Sequence, residues 1–266
     1  MSLRLKSIAQ GWLAKGEPAM VAEIHQARGS TPRETGARML ISADIVEGTI
    51  GGGHLELKAI QAARELLAST TPRSAELHFA LGPSLGQCCG GAVDLFLQPL
   101  TPEALVAWPD PLPRFTLQLY GAGHVGRAIV RLLEGIACRV QWIDERDDEF
   151  PREPSAPHIE RLCGEPVEAE VDSAPPGAFY LVLTHSHDLD LRIVEAVLKR
   201  GDFGFLGLIG SETKRVRFER RLHERKFSTD TLQRMVCPIG VPGIEGKEPE
   251  LIAIAAVAQL LQLPSA

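Results

Sequence analysis

The stretch 115–144, FTLQLYGAGHVGRAIVRLLEGIACRVQWID, constrains the fold more than any other part of the chain. Phe115–Tyr120 reads as a strand, and it runs into Gly121-Ala122-Gly123-His124-Val125-Gly126. A helix is predicted from there to about Glu134, then a second strand over Arg139–Ile143 that ends in Asp144. G-x-G-x-x-G is weak alone, but here it joins a strand to a helix and has an acid about 20 residues on. Each glycine then has a reason: Gly121 for the tight turn, Gly123 for close approach of a diphosphate, Gly126 for packing of helix on strand. The helix start offers bare N–H groups to a phosphate, and Asp144 is placed to take a ribose hydroxyl pair. The pattern predicts a Rossmann-type βαβ unit. A nucleotide at the loop is a separate question, because folds outlive their ligands and His124 puts a bulky polar group there.

The rest of this half repeats strand and helix. AFYLVLTHSHDLD reads as a buried strand with a polar end, LRIVEAVLKRG as a helix closed by Gly201, DFGFLGLIGS as a strand and ETKRVRFERRLHER as a helix. Alternation of this kind predicts a parallel sheet, whose ligands bind beyond the carboxyl ends of the strands. Those ends carry Gly121–Gly126, then His185, His187 and Asp188, then Gly210 and Ser211. THSHDLD fails the H-x-H-x-D-H pattern of metallo-hydrolases, since Leu189 and Asp190 hold the last two places. Its two open readings are a ligand-facing rim and a helix cap built on Ser186 or Asp188. The basic run from Lys214 to Lys226 reads as a solvated helix face, with Lys214 and Arg217 near enough to the helix start to reach an anion.

Prolines at 99, 102, 109, 111 and 113 mark a boundary. The expected organisation is an N-terminal domain over 1–100, a proline-rich linker over 101–113 with one helical turn near Glu103–Ala107, and a Rossmann-like domain over 114–266. The expected class is α/β: a doubly wound parallel sheet preceded by a smaller α/β domain. In that first domain, Gly51-Gly52-Gly53-His54 opens a helix, as an anion seat or as a plain turn. A short strand near Glu76–Ala80 follows, and then GPSLGQCCGGAVDLF, where Cys88 and Cys89 stand beside Gly90 and Gly91 ahead of a strand.

Five cysteines, an odd count, with no secretion signal argue against a disulfide framework. Neighbouring Cα atoms lie about 3.8 Å apart, short of the roughly 4.4 Å that an unstrained disulfide needs. Cys88 and Cys89 therefore read as two thiols, Cys138 and Cys163 as core, and Cys237 as a candidate for lining the crevice. The net charge of −6 disfavours nucleic acid and anionic membranes as partners. No apolar run reaches the roughly 18 residues of a membrane span, so a cytoplasmic protein is expected.

Seven segments together resemble the xanthine dehydrogenase accessory (XdhC/CoxI) family: GSTPRETGARMLI, GTIGGGHLE, GQCCGGAVDLFL, LYGAGHVGRAI, THSHDLDL, GLIGSETKRVRF and CPIGVPGIEGKEPELIAIAAVAQLL. The resemblance implies an N-terminal domain bearing the cysteine motif, a C-terminal Rossmann domain, and a homodimer. It implies a chaperone, not an enzyme, that binds molybdenum cofactor and supports exchange of an oxo for a sulfido ligand with a cysteine desulfurase. The cofactor is then handed to apo-xanthine dehydrogenase or a related molybdenum hydroxylase. Cofactor contacts are expected at Gln87, Cys88, Cys89 and Gly90, at Gly52, Gly53 and His54, at Gly121, Gly123, His124, Gly126 and Asp144, and at His185, His187, Gly210 and Ser211. Soft thiolates suit a sulfur-rich metal centre, so Cys88 and Cys89 are expected either to touch molybdenum or to carry a persulfide. Buried small hydrophobes remain the plainer reading of the pair. The rival functions are an NAD(P)-dependent oxidoreductase and a dinucleotide-sensing module, both resting on the glycine loop.

Overall fold

A computed structural model describes residues 3–69, 73–81, 90–109 and 112–264; Gln87, Cys88 and Cys89 lie outside them. The chain divides into two compact units, Met1–Pro111 and Leu112–Ala266.

The first unit contains α1 (Leu3–Lys15), β1 (Ala19–Arg28), β2 (Arg38–Ser42), β3 (Val46–Gly48), α2 (Gly53–Leu67), β4 (Ala75–Ala80), β5 (Ala92–Pro99) and α3 (Pro102–Val106). The five strands among its described residues form one antiparallel sheet in the order β3-β2-β1-β5-β4. Residues alternate between faces along each strand, so both faces must be covered. Met20, Ala22, Ile24, Met39, Leu95 and Leu97 meet α2 through Leu55, Ala59 and Ala63, which are spaced four apart on one side of the helix. On the other face Val21 and Leu40 pack with Leu5 and Ala9 of α1. Leu105 and Trp108 are buried in that second cluster, so the proline-rich segment supplies core to this unit. Thr101 starts α3, its Oγ1 accepting the Ala104 N–H at 3.1 Å.

The second unit contains β6 (Thr116–Tyr120), α4 (His124–Leu133), β7 (Arg139–Asp144), β8 (Ile159–Cys163), β9 (Phe179–Val182), α5 (His187–Arg200), β10 (Phe205–Leu208), α6 (Glu212–Glu224), α7 (Thr229–Gln233), β11 (Met235–Val236) and α8 (Pro249–Gln262). The six strands are parallel and ordered β8-β7-β6-β9-β10-β11. Counted from β6, this is the 3-2-1-4-5-6 order of dinucleotide-binding folds, with its switch point between β6 and β9. α5, α6 and α7 cover one face through Leu189, Ile193, Val197, Phe218, Leu222 and Leu232. α4 and α8 cover the other through Ile129, Leu133, Ala253, Ala256 and Leu260. A sheet wrapped on both sides explains why β9 and β10 are buried at every residue.

Cys138 is fully buried, as its sequence context implies, and burial pushes its thiol pKa up to about 12. Cys163 corrects the expectation of a core residue. It ends β8, which closes one edge of the sheet, and its side chain is exposed.

Candidate functional site

The switch point is built from the β6–α4 loop. Gly121 has φ +121°, and a Cβ there would come within 2.4 Å of the Leu183 carbonyl oxygen at the end of β9. At Gly126 a Cβ would stand 2.0 Å from the Gly121 oxygen. The two outer glycines thus let loop, helix and neighbouring strand close onto one another. Gly123 differs: a Cβ there would meet open space, and its backbone caps α4 without any side-chain bond. The loop start is fixed by Gly121 N–H donating to Ile143 O at 2.8 Å and by Trp142 Nε1 donating to Gly121 O at 3.0 Å. The first-turn N–H groups of α4, including those of the exposed His124 and of Val125, lack intrahelical acceptors. Free first-turn N–H groups beside a glycine with no Cβ suit a phosphate.

Asp144 lies at the end of β7, 5% exposed. Its Oδ2 accepts the Ala122 N–H at 2.7 Å and Arg146 Nη2 at 3.0 Å. Its Oδ1 accepts the Arg146 N–H and Nε, each at 3.0 Å. Four donors fill the acceptor capacity of an ionised carboxylate. Burial works to raise the Asp144 pKa, but the Arg146 guanidinium and the two backbone donors outweigh it and hold the carboxyl below its ordinary value. Asp144 therefore binds its own loop, and a ribose diol would have to displace Arg146. Arg146 also donates to Glu149 Oε1 at 3.1 Å, and Glu149 Oε2 accepts from Arg127 of α4 at 2.6 Å.

Two further strand ends carry the other expected residues. His185, after β9, approaches Glu145, after β7, at 3.4 Å; β6 lies between those strands, so the contact spans its carboxyl end. His187 is the exposed first residue of α5. Ser186 caps that helix, its Oγ accepting the Leu189 N–H at 3.4 Å, so the cap reading holds for THSHDLD. Ser211 caps α6 by accepting the Lys214 N–H, and Gly210 sits over Lys214, where a Cβ would meet its Cδ at 2.5 Å.

Lys214 itself was missed as an internal partner. Its Nζ donates to Asp190 Oδ2 at 2.6 Å and to Ile209 O at 2.8 Å, while Asp190 Oδ1 accepts Thr184 N–H and Oγ1–H at 3.0 and 2.7 Å. The pair ties the end of β9 to the end of β10 and is not available to an anion; Arg217 is exposed. The only hint in the sequence is a lysine at a helix position whose neighbours Phe218 and Leu222 are core. Cys237 follows β11 and is 2% exposed, its Sγ 3.8 Å from Ser211 O. Burial, partly offset by Lys214 and Arg215, pushes its thiol up to about 11.

In the first unit, Gly51–Gly53 start α2. A Cβ on Gly51 would meet Pro32 Cγ at 2.4 Å, and Gly52 and Gly53 have φ of +80° and +64°. Glu56 Oε1 already accepts the N–H groups of Ile50 and Gly52, at 3.0 and 2.9 Å. The protein's own carboxylate thus occupies much of the anion seat, leaving Gly53 and the exposed His54. Gly91 packs against Arg28–Ser30, where a Cβ would lie 2.4 Å from Arg28 O; a Cβ on Gly90 would meet nothing. Gln87, Cys88 and Cys89, the expected soft contacts, fall outside the described residues. Among the described residues no cluster of three or more His, Cys, Asp or Glu is arranged to hold a metal ion, and no helix is long and apolar enough to cross a membrane.

The Escherichia coli (strain K12) protein YqeB is 31% identical over 253 residues, which cover 92% of this chain and 43% of YqeB. The chain thus spans less than half the length of that relative. A Bacillus halodurans chain whose crystal structure is described as a xanthine dehydrogenase shares the fold, with a TM-score of 0.72 at 20% identity, covering 98% of this chain and 95% of that one. The model of the XdhC Rossmann domain matches residues 117–260, and that of the XdhC and CoxI family matches residues 12–80. With both halves matched, this chain belongs to the XdhC and CoxI family.

Proposed function

We propose that this chain is a carrier in the maturation of xanthine dehydrogenase. Its cargo is molybdenum cofactor, sheltered while a cysteine desulfurase supplies sulfur and then released to apo-xanthine dehydrogenase or a related molybdenum hydroxylase. Family membership across both units supports the maturation role. The Bacillus halodurans chain that shares this fold is itself described as a xanthine dehydrogenase.

The observation that carries the cargo reading over a dinucleotide is the saturated Asp144 beside an open Gly123. The loop keeps a place for a phosphate while its ribose-reading acid is already satisfied. The cargo is a pterin with a phosphate tail and a dithiolene-held metal, so it offers the phosphate without requiring a ribose. In this reading the first turn of α4 holds the phosphate. Cys88 and Cys89, outside the described residues, are the thiols we assign to soft contact or to carrying sulfur. The polar groups at the strand ends hold rather than react: Ser211 accepts the Lys214 N–H as a helix cap, and His185 meets Glu145. A cytoplasmic homodimer is the assembly we take for it.

The test is retention. Protein loaded with cofactor is desalted, and molybdenum and pterin are counted per chain. The Cys88→Ala/Cys89→Ala variant should lose most of both while its melting temperature stays within a few degrees, because a small-for-small swap removes the thiols and little volume. Unchanged retention would overturn the role given to the thiols.

A further inference from the structure

The second unit contains a cleft of about 500 Å³ at the carboxyl ends of β10 and β11, against the first turns of α8. Ile209, Ile239, Val241, Leu251 and Ala255 make its walls, with glycine backbone between them. Among the described residues of its lining the charged side chain is Lys247, whose backbone N–H donates to Glu248 Oε2 at 2.9 Å. The size and the apolar lining are those of a small-molecule site.

The cleft is held open by an anchored loop. Gly240 donates its N–H to Gln259 Oε1 at 2.9 Å, and Val241 donates to Ala255 O at 3.1 Å, so residues 240–241 are pinned to α8. A Cβ on Gly240 would come within 2.9 Å of Ala255 Cβ, and one on Gly246 within 2.5 Å of Leu251 Cδ1. The loop is pressed onto the helix at both ends and stands off it between them. Ile244, 38% exposed, adds an apolar rim.

Its place in the sheet gives the cleft meaning. α4 and α8 cover the same face, and both follow parallel strands, so both begin at the carboxyl edge. From β6 to the gap between β10 and β11 is two and a half strand spacings, about 12 Å. A ligand of about that length, running from α4 toward β10, would bring its far end to this cleft.

We propose that the cleft is a ring subsite, taking a planar heteroaromatic ring with an adjacent anionic group that Lys247 meets. A pterin with an anionic dithiolene beside it has this chemistry, and that choice rests on the carrier reading above; a reduced nicotinamide, with a non-aromatic ring and a neutral carboxamide, does not. The apolar walls receive the ring faces, the glycine backbone allows close approach, and one cation matches one anion.

The probe is pterin-6-carboxylate, whose fluorescence reports binding without metal or phosphate. It should bind the full chain and be quenched. Val241→Trp, which fills the cleft, should weaken binding at least tenfold. Lys247→Glu, on an exposed side chain that cannot upset the core, should weaken it three- to tenfold. Competition by NADH would assign the ring to a nicotinamide, and failure to compete would assign it to a pterin. Equal affinities in all three proteins, or no binding by the wild type, would overturn the subsite. If the variants lose the probe while wild-type protein fails to activate apo-dehydrogenase, the carrier reading falls and the cleft stands. If activation is normal and the variants bind as wild type does, the reverse holds.

Discussion

Lys214 Nζ lies 2.6 Å from Asp190 Oδ2, with side-chain exposures of 9% and 1%. Asp190 also holds the backbone and hydroxyl of Thr184, and Lys214 holds the Ile209 carbonyl. Two loops that flank the crevice, Thr184–Ser186 and Ile209–Ser211, are therefore set by one buried pair. Removing the lysine would leave a carboxylate in the core with no counter-charge. Lys214→Met should cost about 3–5 kcal/mol in urea unfolding. A loss under about 1 kcal/mol would show that the pair does not hold these loops.

The Asp144–Arg146 contact makes a prediction about nucleotides. Wild-type protein should bind NADH weakly, because the acid is saturated. Arg146→Ala frees two of its four acceptor positions, so NADH affinity should rise several-fold in a fluorescence titration. Tight binding by wild type that falls in the variant would reverse the argument and favour a dinucleotide site.

Two glycines of the loop, Gly126 and Gly123, should separate in their effects. Gly126→Ala places a Cβ 2.0 Å from a carbonyl oxygen, and such overpacking costs about 1–3 kcal/mol or more. Gly123→Ala meets open space, so its melting temperature should stay near wild type while phosphate-tailed ligands bind less well. Equal melting temperatures for the two variants would contradict the packing role given to Gly126.

Cys237 gives a pH prediction. Burial raises its folded pKa to about 11, against roughly 8.5 for a free thiol. A raised pKa means that the folded state binds the proton more tightly. The contribution to stability is complete below about pH 8.5 and is lost as pH rises through about 11. Cys237→Ser should therefore flatten the fall in stability between pH 8.5 and 11, measured by urea midpoints. Fast alkylation of Cys237 by iodoacetamide at pH 7 in the native state would show that the thiol is neither buried nor protonated.

Much of the second unit is legible in its sequence because glycines, strand runs and helix faces agree there. The run from Phe115 to Asp144 gives strand, loop, helix and strand, and the ends of the later strands locate one edge of the sheet. The use made of polar groups at that edge is not legible. Asp144 looks like a ribose ligand until Arg146, two residues on, folds back onto it. Lys214 looks solvated until the turn of α6 brings it over Asp190, which lies 24 residues away in sequence. Glu56 caps the glycine triplet that its own helix start would offer to an anion. Cys163 reads as core because strand position alone does not reveal an edge. These are tertiary pairings, and spacing along the chain does not encode them.

The most direct test mixes chain loaded with molybdenum cofactor with apo-xanthine dehydrogenase and counts activated dehydrogenase sites against carrier added. The expected result is activation that is stoichiometric in loaded chain, requires direct contact, and leaves the chain without molybdenum. Activation equal to that from free cofactor, or steady oxidation of xanthine or NADH by this chain alone, would contradict the carrier function.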